Sequence, residues 1–431
     1  MSIAMNSKGV HKTDRFVGFY CALVVFAMQF AIMGVFGVGL QFILKDHLKL
    51  PATEVATFGL LTDVPVWFGF AFGFLRDRWR PAQFGDRAYF LLAAPALAIT
   101  YIVIGRSPMT YGWLIGGVCV TVVLSLFLGA ATRGLIATVG KAHGMTGRLA
   151  SISNVFVSLG VVVSTVLSGQ IGEATLKAAP GLPFILSAIA TVPIFAIGLW
   201  RPAKIFDVDT ELVQSVIPEG VWDGLKRLAR HKEIYVPSIA MLLWAFAPGW
   251  GTPLFFYLTK TVHLTESQYG NTSSLIRLGT VLSSVGYAGI CLRFRLLPIY
   301  VVGTIFGVMG GAIFLLIHST WQAYAIAFLA GCTCGIPVGA YLDLLVRCCP
   351  KELEGAAMMF YYSASIFAGD WSDVFGSWLY DRGGFGLALF ATMTTTCFIL
   401  VLVPFIPRAK ANLPEGTPVV DDEPAPELAM A

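Results

Sequence analysis

Two charged residues stand deep inside long apolar stretches of the sequence. Asp63 lies within the stretch 54–75 and Arg277 within the stretch 268–292, each about ten residues from one end, which is about 15 Å along a helix. An ionisable group in a membrane-spanning helix costs about 2.5–3.5 kcal/mol, so such a residue is a candidate functional group. We predict that Asp63 and Arg277 bind a solute or an ion. The alternative is that each pairs with a polar group on a neighbouring helix.

A second acidic pair, Asp370 and Asp373, lies in the apolar stretch 355–380. Residues three apart share one face of a helix. Two carboxylates held together in a low-dielectric setting could take up and release a proton. The alternatives are a hydrogen-bonded pair at a gate, or two residues that face water near the mouth of a channel.

Arg133 and Asp343 lie near the ends of the stretches 111–138 and 321–346. Asp343 is followed four residues later by Arg347, so a local ion pair is the favoured interpretation for it. Arg133 has no acidic neighbour in sequence. It could bind a carboxylate or phosphate bidentately, or extend its charged end to the membrane interface.

Further candidates are uncharged. Gln29 in the stretch 16–44 could hydrogen-bond a solute, and Trp67 and Tyr257 could stack on a flat ring, although aromatic side chains in membrane helices more often pack or face lipid. Glu173 and the pair Lys45–Asp46 fall at helix ends, where we expect them to be solvated.

The composition shows which elements must position these groups. Of 431 residues, 56% are hydrophobic and 13% are charged, against about 25% charged in a soluble domain. A bilayer core of about 30 Å needs about 20 apolar residues per helix. Twelve stretches qualify: 16–44, 54–75, 88–105, 111–138, 150–172, 182–200, 234–258, 268–292, 297–317, 321–346, 355–380 and 385–406. The sequence therefore predicts an all-α integral membrane protein with twelve transmembrane helices.

The sequence also predicts the domain boundaries of the chain and its orientation in the membrane. Residues 1–200 and 234–406 form two six-helix bundles, the polar stretch 201–233 is a cytoplasmic linker, and the acidic, proline-rich residues 407–431 form a disordered tail. Of the 29 Lys and Arg residues, 21 lie on the side of the N-terminus and 6 on the other side, which predicts cytoplasmic termini. Ser164 matches Ser372, and Glu173 matches Asp381 at the same spacing, as expected for two repeats.

A loop after the second stretch carries Gly73, Asp77, Arg78, Gly85 and Arg87. This pattern resembles the signature loop of the major facilitator superfamily. The resemblance implies two pseudo-symmetric six-helix bundles and a conformational gating role for these five residues. The carboxylate and arginines at a helix end could form charge-assisted bonds that hold one conformation.

Other stretches resemble the folate–biopterin transporter family, a branch of that superfamily. They include 44–52 with Pro65 and Trp67, the loop that ends at Tyr89, 248–270, and 347–355. The resemblance implies a folate or pterin as the transported solute. The signature loop also resembles, more weakly, proteins that deliver bacteriochlorophyll.

The leading hypothesis is secondary active transport of a small organic solute by alternating access, coupled to protons. The alternatives are transport of another organic anion, or a non-transporting protein for pigment delivery or complex assembly. We find no motif of an enzyme, a cofactor site or a metal site, and we expect no nucleic-acid partner. We expect a monomer in a bacterial inner membrane.

Overall fold

The computed structural model describes residues 7–69, 71–72, 86–142, 146–200, 202, 230, 232–291, 293–348 and 354–407. In the N-terminal half, α1 is Ser7–Met33 and continues after a turn as Gly37–Phe42 and a π-helical turn, Ile43–His47. The next four helices are α2 (Ala52–Trp67), α3 (Arg87–Arg106), α4 (Tyr111–Ala142) and α5 (Thr146–Thr175). Helix α6 comprises Leu182–Ala190 and Val192–Leu199.

The C-terminal half repeats this order. Helix α7 runs over Tyr235–Ala245, breaks, and resumes as Thr252–Phe256 and a π-helical turn, Tyr257–Thr261. It is followed by α8 (Glu266–Ile290), α9 (Leu296–Ala312, extended by Ile313–Leu316) and α10 (Thr320–Cys348). The helix Glu354–Val401 is interrupted at Gly384, whose φ is 74°, and so divides into α11 (354–383) and α12 (385–401), with a last turn Val403–Phe405.

Eight helices within the described residues are long and apolar enough to cross a membrane. One of these, from Tyr361 to Phe405, contains both α11 and α12. The other three segments have local reasons for falling short: α2 has 16 described residues, α7 is broken, and α8 is rich in polar residues. The predicted count of twelve therefore fits the structure, and the all-α fold class is confirmed.

Successive helices alternate in direction. We call the end of the bundle that holds the turn between α1 and α2 the far end. The turns after α3, α5, α7, α9 and α11 lie there as well. The opposite end, where the chain begins, is the near end. Large apolar side chains such as Phe19, Leu92 and Trp321 are exposed on the outside of the bundle, as expected for a surface covered by lipid.

Backbone irregularities recur at a constant spacing in the two halves. The π-helical turns at 43 and 257 begin 214 positions apart. Lys49 and His263, which among the described residues are the non-glycine residues with positive φ, are separated by the same interval. Helices α2 and α8 also begin at this spacing. The halves are thus structural repeats, and Asp63 and Arg277 occupy equivalent positions.

The two halves meet mainly where α5 packs on α8 and α2 packs on α11. Glycines allow the close approach of α5 and α8: a Cβ atom on Gly169 would lie 2.7 Å from the Glu266 carbonyl oxygen. Ser274 of α8 donates to the Val162 carbonyl of α5. In the described part of the chain, hydrogen bonds between the halves run from the far end to the middle of the bundle, so the far end is closed.

Candidate functional site

Asp63 and Asp370 face each other across the contact between the two halves. Asp63 is half-buried on α2, about 16 Å along the helix from the far end. Leu61 and Phe68, on the opposite side of α2, are exposed. Asp370 of α11 lies near enough to Asp63 and Asp373 for their charges to interact. The Trp67 indole nitrogen donates a 2.7 Å hydrogen bond to the Asp370 carboxylate. This bond joins the two halves.

Asp373 has a structural contact of its own. Its carboxylate accepts hydrogen bonds from the Thr252 backbone nitrogen at 2.8 Å and from the Thr252 hydroxyl at 2.6 Å. These bonds cap the second part of α7, whose first amide groups have no partner within the helix. Gly251, with φ 75°, permits the contact, because a Cβ atom there would lie 2.6 Å from the carboxylate. Asp373 therefore holds the broken helix α7 against α11.

Arg277 faces the space between the helices. Leu282 of α8 is exposed and marks the lipid-facing side, Gly279 packs on α10, and Ser274 contacts α5. Helical periodicity places Arg277 on the remaining side. The Arg277 side chain is exposed, and it forms no ion pair with any described residue. Its charge acts on Cys334 of α10.

Tyr269 links the cationic and anionic parts of this region. The ring is buried, and it lies within electrostatic reach of both Arg277 and Asp373. It packs edge-on against Phe42 of α1 and Phe255 of α7. The structure thus brings together Asp63, Trp67, Asp370 and Asp373 on α2 and α11. Arg277 of α8 lies on the inner side of the bundle, and Tyr269 is the residue through which it is linked to the carboxylates. Such a site offers acceptors to a hydrogen-bond donor and a cation to an anion.

Arg133 and Asp343 lie outside this cluster. The Arg133 guanidinium sits 5.2 Å from the centre of the Tyr362 ring on α11, which is a cation–π contact between the two halves. Asp343 forms the ion pair that the spacing predicts: the Arg347 Nε and terminal nitrogen donate to its two carboxylate oxygens at 2.8 and 2.9 Å. The Tyr287 hydroxyl donates a third bond to Asp343 at 3.0 Å.

Gln29 and Tyr257 also lie apart from the cluster. Gln29 is buried on α1, and its side chain packs against Gly160 of α5. The Tyr257 hydroxyl donates to the Ile317 carbonyl at 3.1 Å, and the ring stacks on Phe385 at 4.4 Å. These contacts place Tyr257 in the packing of the far end.

Four residues of the predicted gating loop, Gly73, Asp77, Arg78 and Gly85, lie outside the described residues. The fifth, Arg87, begins α3 and donates to the carbonyls of Gly198 and Leu199 at 2.9 and 3.1 Å. It thereby satisfies carbonyl groups at the C-terminal end of α6.

Of the three residues expected to be solvated, Glu173 and Asp46 are exposed, and the expectation is wrong for Lys45. Glu173 accepts hydrogen bonds from the start of α8. The Lys45 side chain is only 10% exposed, because its amine lies over the rings of Phe42 and Phe255. Sequence reasoning also missed Tyr269 as a neighbour of the charged cluster. Its only signal was its position in the stretch 248–270, which resembles a transporter family.

No group of three or more metal-ligating side chains occurs among the residues that the structure describes. One pocket of about 400 Å³ lies at the far end beside His47, Ser107 and Pro180, away from the charged cluster.

Twelve membrane-crossing helices in two repeats, with charged groups where the repeats meet, define a multi-pass membrane protein of the transporter class. The sequence profile of the Major Facilitator Superfamily matches residues 18–369. The chain belongs to this superfamily. A comparison with curated proteins finds no match.

Solved structures support the same fold. The nucleoside transporter NupG superposes with a TM-score of 0.67 at 12% identity, covering 90% of this chain and 98% of its own. A D-xylose–proton symporter gives 0.65 at 16% identity, with coverage of 92% and 98%. A bacterial homologue of the human lysosomal transporter Spinster gives 0.63 at 15% identity, with coverage of 91% and 96%. These likenesses show a transporter fold and no particular solute.

Proposed function

We propose that the protein is a proton-coupled secondary transporter of an organic solute that carries both an anionic group and a hydrogen-bond donor edge. A folate or pterin is the solute class that its sequence resemblance favours. The observation that carries this proposal is that Asp63 and Asp370 lie close together where the two halves meet, while Arg277, at the position of α8 equivalent to Asp63, forms no ion pair among the described residues.

Each charged group has a distinct part in this proposal. The Asp63 carboxylate accepts hydrogen bonds from the donor edge of the solute, such as an aminopyrimidine. Arg277 binds the carboxylate of the solute, because a guanidinium matches the geometry of two carboxylate oxygens. Asp370 exchanges the coupling proton, and Trp67 orients its carboxylate through the hydrogen bond between the halves.

The closed far end fits one stage of an alternating-access cycle. Transporter sites of this kind lie near the middle of the membrane where the repeats meet, and each half tilts to open one end at a time. We propose that the near end faces the cytoplasm, as the distribution of Lys and Arg predicts, and that a monomer in a bacterial inner membrane performs the cycle. The likeness to a D-xylose–proton symporter supports proton coupling as a property of the fold.

Uptake into proteoliposomes tests the proposal. Labelled folate and a labelled pterin are supplied with an imposed pH gradient, with its reverse, and with no gradient. We expect the gradient to drive accumulation above the equilibrium level and its reversal to stop it. Uptake that equals that of empty liposomes under every gradient would reject folate and pterin as solutes. Uptake that ignores the gradient would reject proton coupling.

Two variants separate the roles of the charges. Replacing Arg277→Gln removes the anion anchor, and loss of one bidentate contact of about 2–3 kcal/mol raises the apparent KM roughly 30- to 150-fold. The matched control is Arg382→Gln on α11, whose guanidinium lies 4.0 Å from the Trp378 ring centre, away from the cluster. Equal effects of the two substitutions would contradict a binding role for Arg277. Replacing Asp370→Asn should leave the exchange of solute across the membrane intact. It should abolish the accumulation of solute that the pH gradient drives.

A further inference from the structure

Two acidic side chains at the far end reach across from one half of the molecule to the other. Asp381, at the end of α11, accepts hydrogen bonds from the Thr53 backbone nitrogen at 3.0 Å and from the Thr53 hydroxyl at 2.6 Å. Thr53 is the second residue of α2, in the N-terminal half. A carboxylate of the C-terminal half therefore caps a helix of the N-terminal half.

The second contact has the same design with the halves exchanged. Glu173, at the end of α5, accepts hydrogen bonds from the Thr265 hydroxyl at 3.0 Å and from the Ser267 backbone nitrogen at 3.1 Å. Thr265 is the N-cap of α8, and Ser267 is the second residue of that helix. Thr53 and Ser267 are equivalent positions of the two repeats, and both donate a backbone N–H to the partner half.

The chemistry makes both contacts stronger than ordinary surface hydrogen bonds. The first amide groups of a helix lack partners within the helix, and the positive end of the helix dipole favours a negative charge there. Bonds to an ionised acceptor are also shorter and stronger than bonds between neutral groups. Each carboxylate and the helix that it caps belong to different halves. Both contacts must therefore break before the halves can part at the far end.

We propose that Glu173 and Asp381 form a paired latch that holds the far end of the transporter closed. The latch releases in the stage of the cycle when the far end opens, and it rebuilds when the end closes. It does not depend on which solute is carried. Removing one carboxylate weakens closure of the whole far end, because the halves move as units and the second contact alone must then hold them.

Backbone hydrogen exchange of the full-length protein in lipid nanodiscs, without any solute, tests this proposal. The reporters are the amides in the first turns of α2 and α8. Loss of a capping carboxylate is worth about 1 kcal/mol, or roughly a fivefold rise in exchange. We expect Glu173→Gln to raise exchange about fivefold at the start of α8 and also at the start of α2, where it makes no contact. Asp381→Asn should have the same double effect.

The matched control is Glu54→Gln. Glu54 is an exposed carboxylate in the first turn of α2, next to Thr53, and it makes no hydrogen bond to the other half within the described residues. The control removes a charge from the same helix end without touching the other half, so any effect should stay at the start of α2 and exchange at the start of α8 should be unchanged. The latch is overturned if each substitution affects only the helix that it caps, if neither reporter changes, or if Glu54→Gln raises exchange at the start of α8 as much as Asp381→Asn does. Should the amide variants fail to fold, Glu173→Asp and Asp381→Glu keep the charge, alter its reach, and must again move both reporters.

Discussion

Asp373 caps the second part of α7, and substitutions at this residue can distinguish a structural role from a proton-carrying role. Its carboxylate receives both the amide and the hydroxyl of Thr252, at 2.8 and 2.6 Å. Replacing Asp373→Ala removes both bonds and leaves the Thr252 N–H without a partner inside the bundle. We estimate the loss at about 3–4 kcal/mol, from about 1.5–3 kcal/mol for each bond to a charged acceptor, less the relaxation of the neighbouring chain.

Replacing Asp373→Asn should be much milder. The amide oxygen still accepts the Thr252 N–H and the hydroxyl can turn to donate or accept, so about 1 kcal/mol is lost with the charge. If the C-terminal half unfolds as a unit, each kcal/mol lowers the unfolding temperature by about 2–4 °C. We therefore expect a fall of about 6–16 °C for the alanine variant and about 2–4 °C for the asparagine variant.

The assay is thermal unfolding in detergent, followed by gradient-driven uptake of each folded variant. The control is Asp46→Ala, since Asp46 is 56% exposed and its ion pair with Lys45 at 3.1 Å should contribute little. We expect Asp373→Asn to keep gradient-driven uptake. An asparagine variant that unfolds normally but no longer responds to the pH gradient would refute the structural assignment and make Asp373 a proton carrier. An alanine variant as stable as the control would refute the energetic estimate.

Two further predictions concern packing. Gly270→Ala puts a Cβ atom 2.9 Å from a carbonyl oxygen of α5, so we expect closure of the far end to weaken by about 1–3 kcal/mol and exchange to rise at the start of α8. Gly286→Ala, where no atom lies within 4 Å, should change neither, and equal effects would contradict the close contact. Tyr257→Phe removes the bond to the Ile317 carbonyl, and should lower stability by about 1 kcal/mol without altering uptake. Lost uptake at an unchanged unfolding temperature would instead give Tyr257 a role in binding.

Hydrophobicity was sufficient to predict the helices, because a membrane-spanning segment must be apolar and must satisfy its own backbone. The breaks within α1 and α7 were harder to predict from the sequence. Gly34 lies at the turn in α1 with φ 55°, and no sequence signal identified the break in α7 before Thr252. That break depends on a carboxylate more than 100 residues away, which a local pattern cannot reveal.

The charged cluster shows a similar limit. Depth in the helix and equivalence between the halves were enough to select Asp63 and Arg277 as candidates. The bond between Trp67 and Asp370 depends on how α2 packs on α11, and spacing along one helix contains no such information. The contact of Glu173 with α8 was missed for the same reason, since a position at a helix end says nothing about a neighbouring helix whose amide groups need a partner.

The constant interval of 214 positions also has a historical meaning. The π-helical turns at 43–47 and 257–261 and the positive φ of Lys49 and His263 recur in both halves, as expected of a chain built by duplication of one six-helix unit. Other positions at that interval have diverged. Val38 and Thr252 both offer an amide at the restart of a broken helix, but the first is bound by the Ser168 hydroxyl and the second by the Asp373 carboxylate. Together with the exchange of acid for base between Asp63 and Arg277, these differences mark where one copy acquired a new specialisation while the inherited backbone stayed the same.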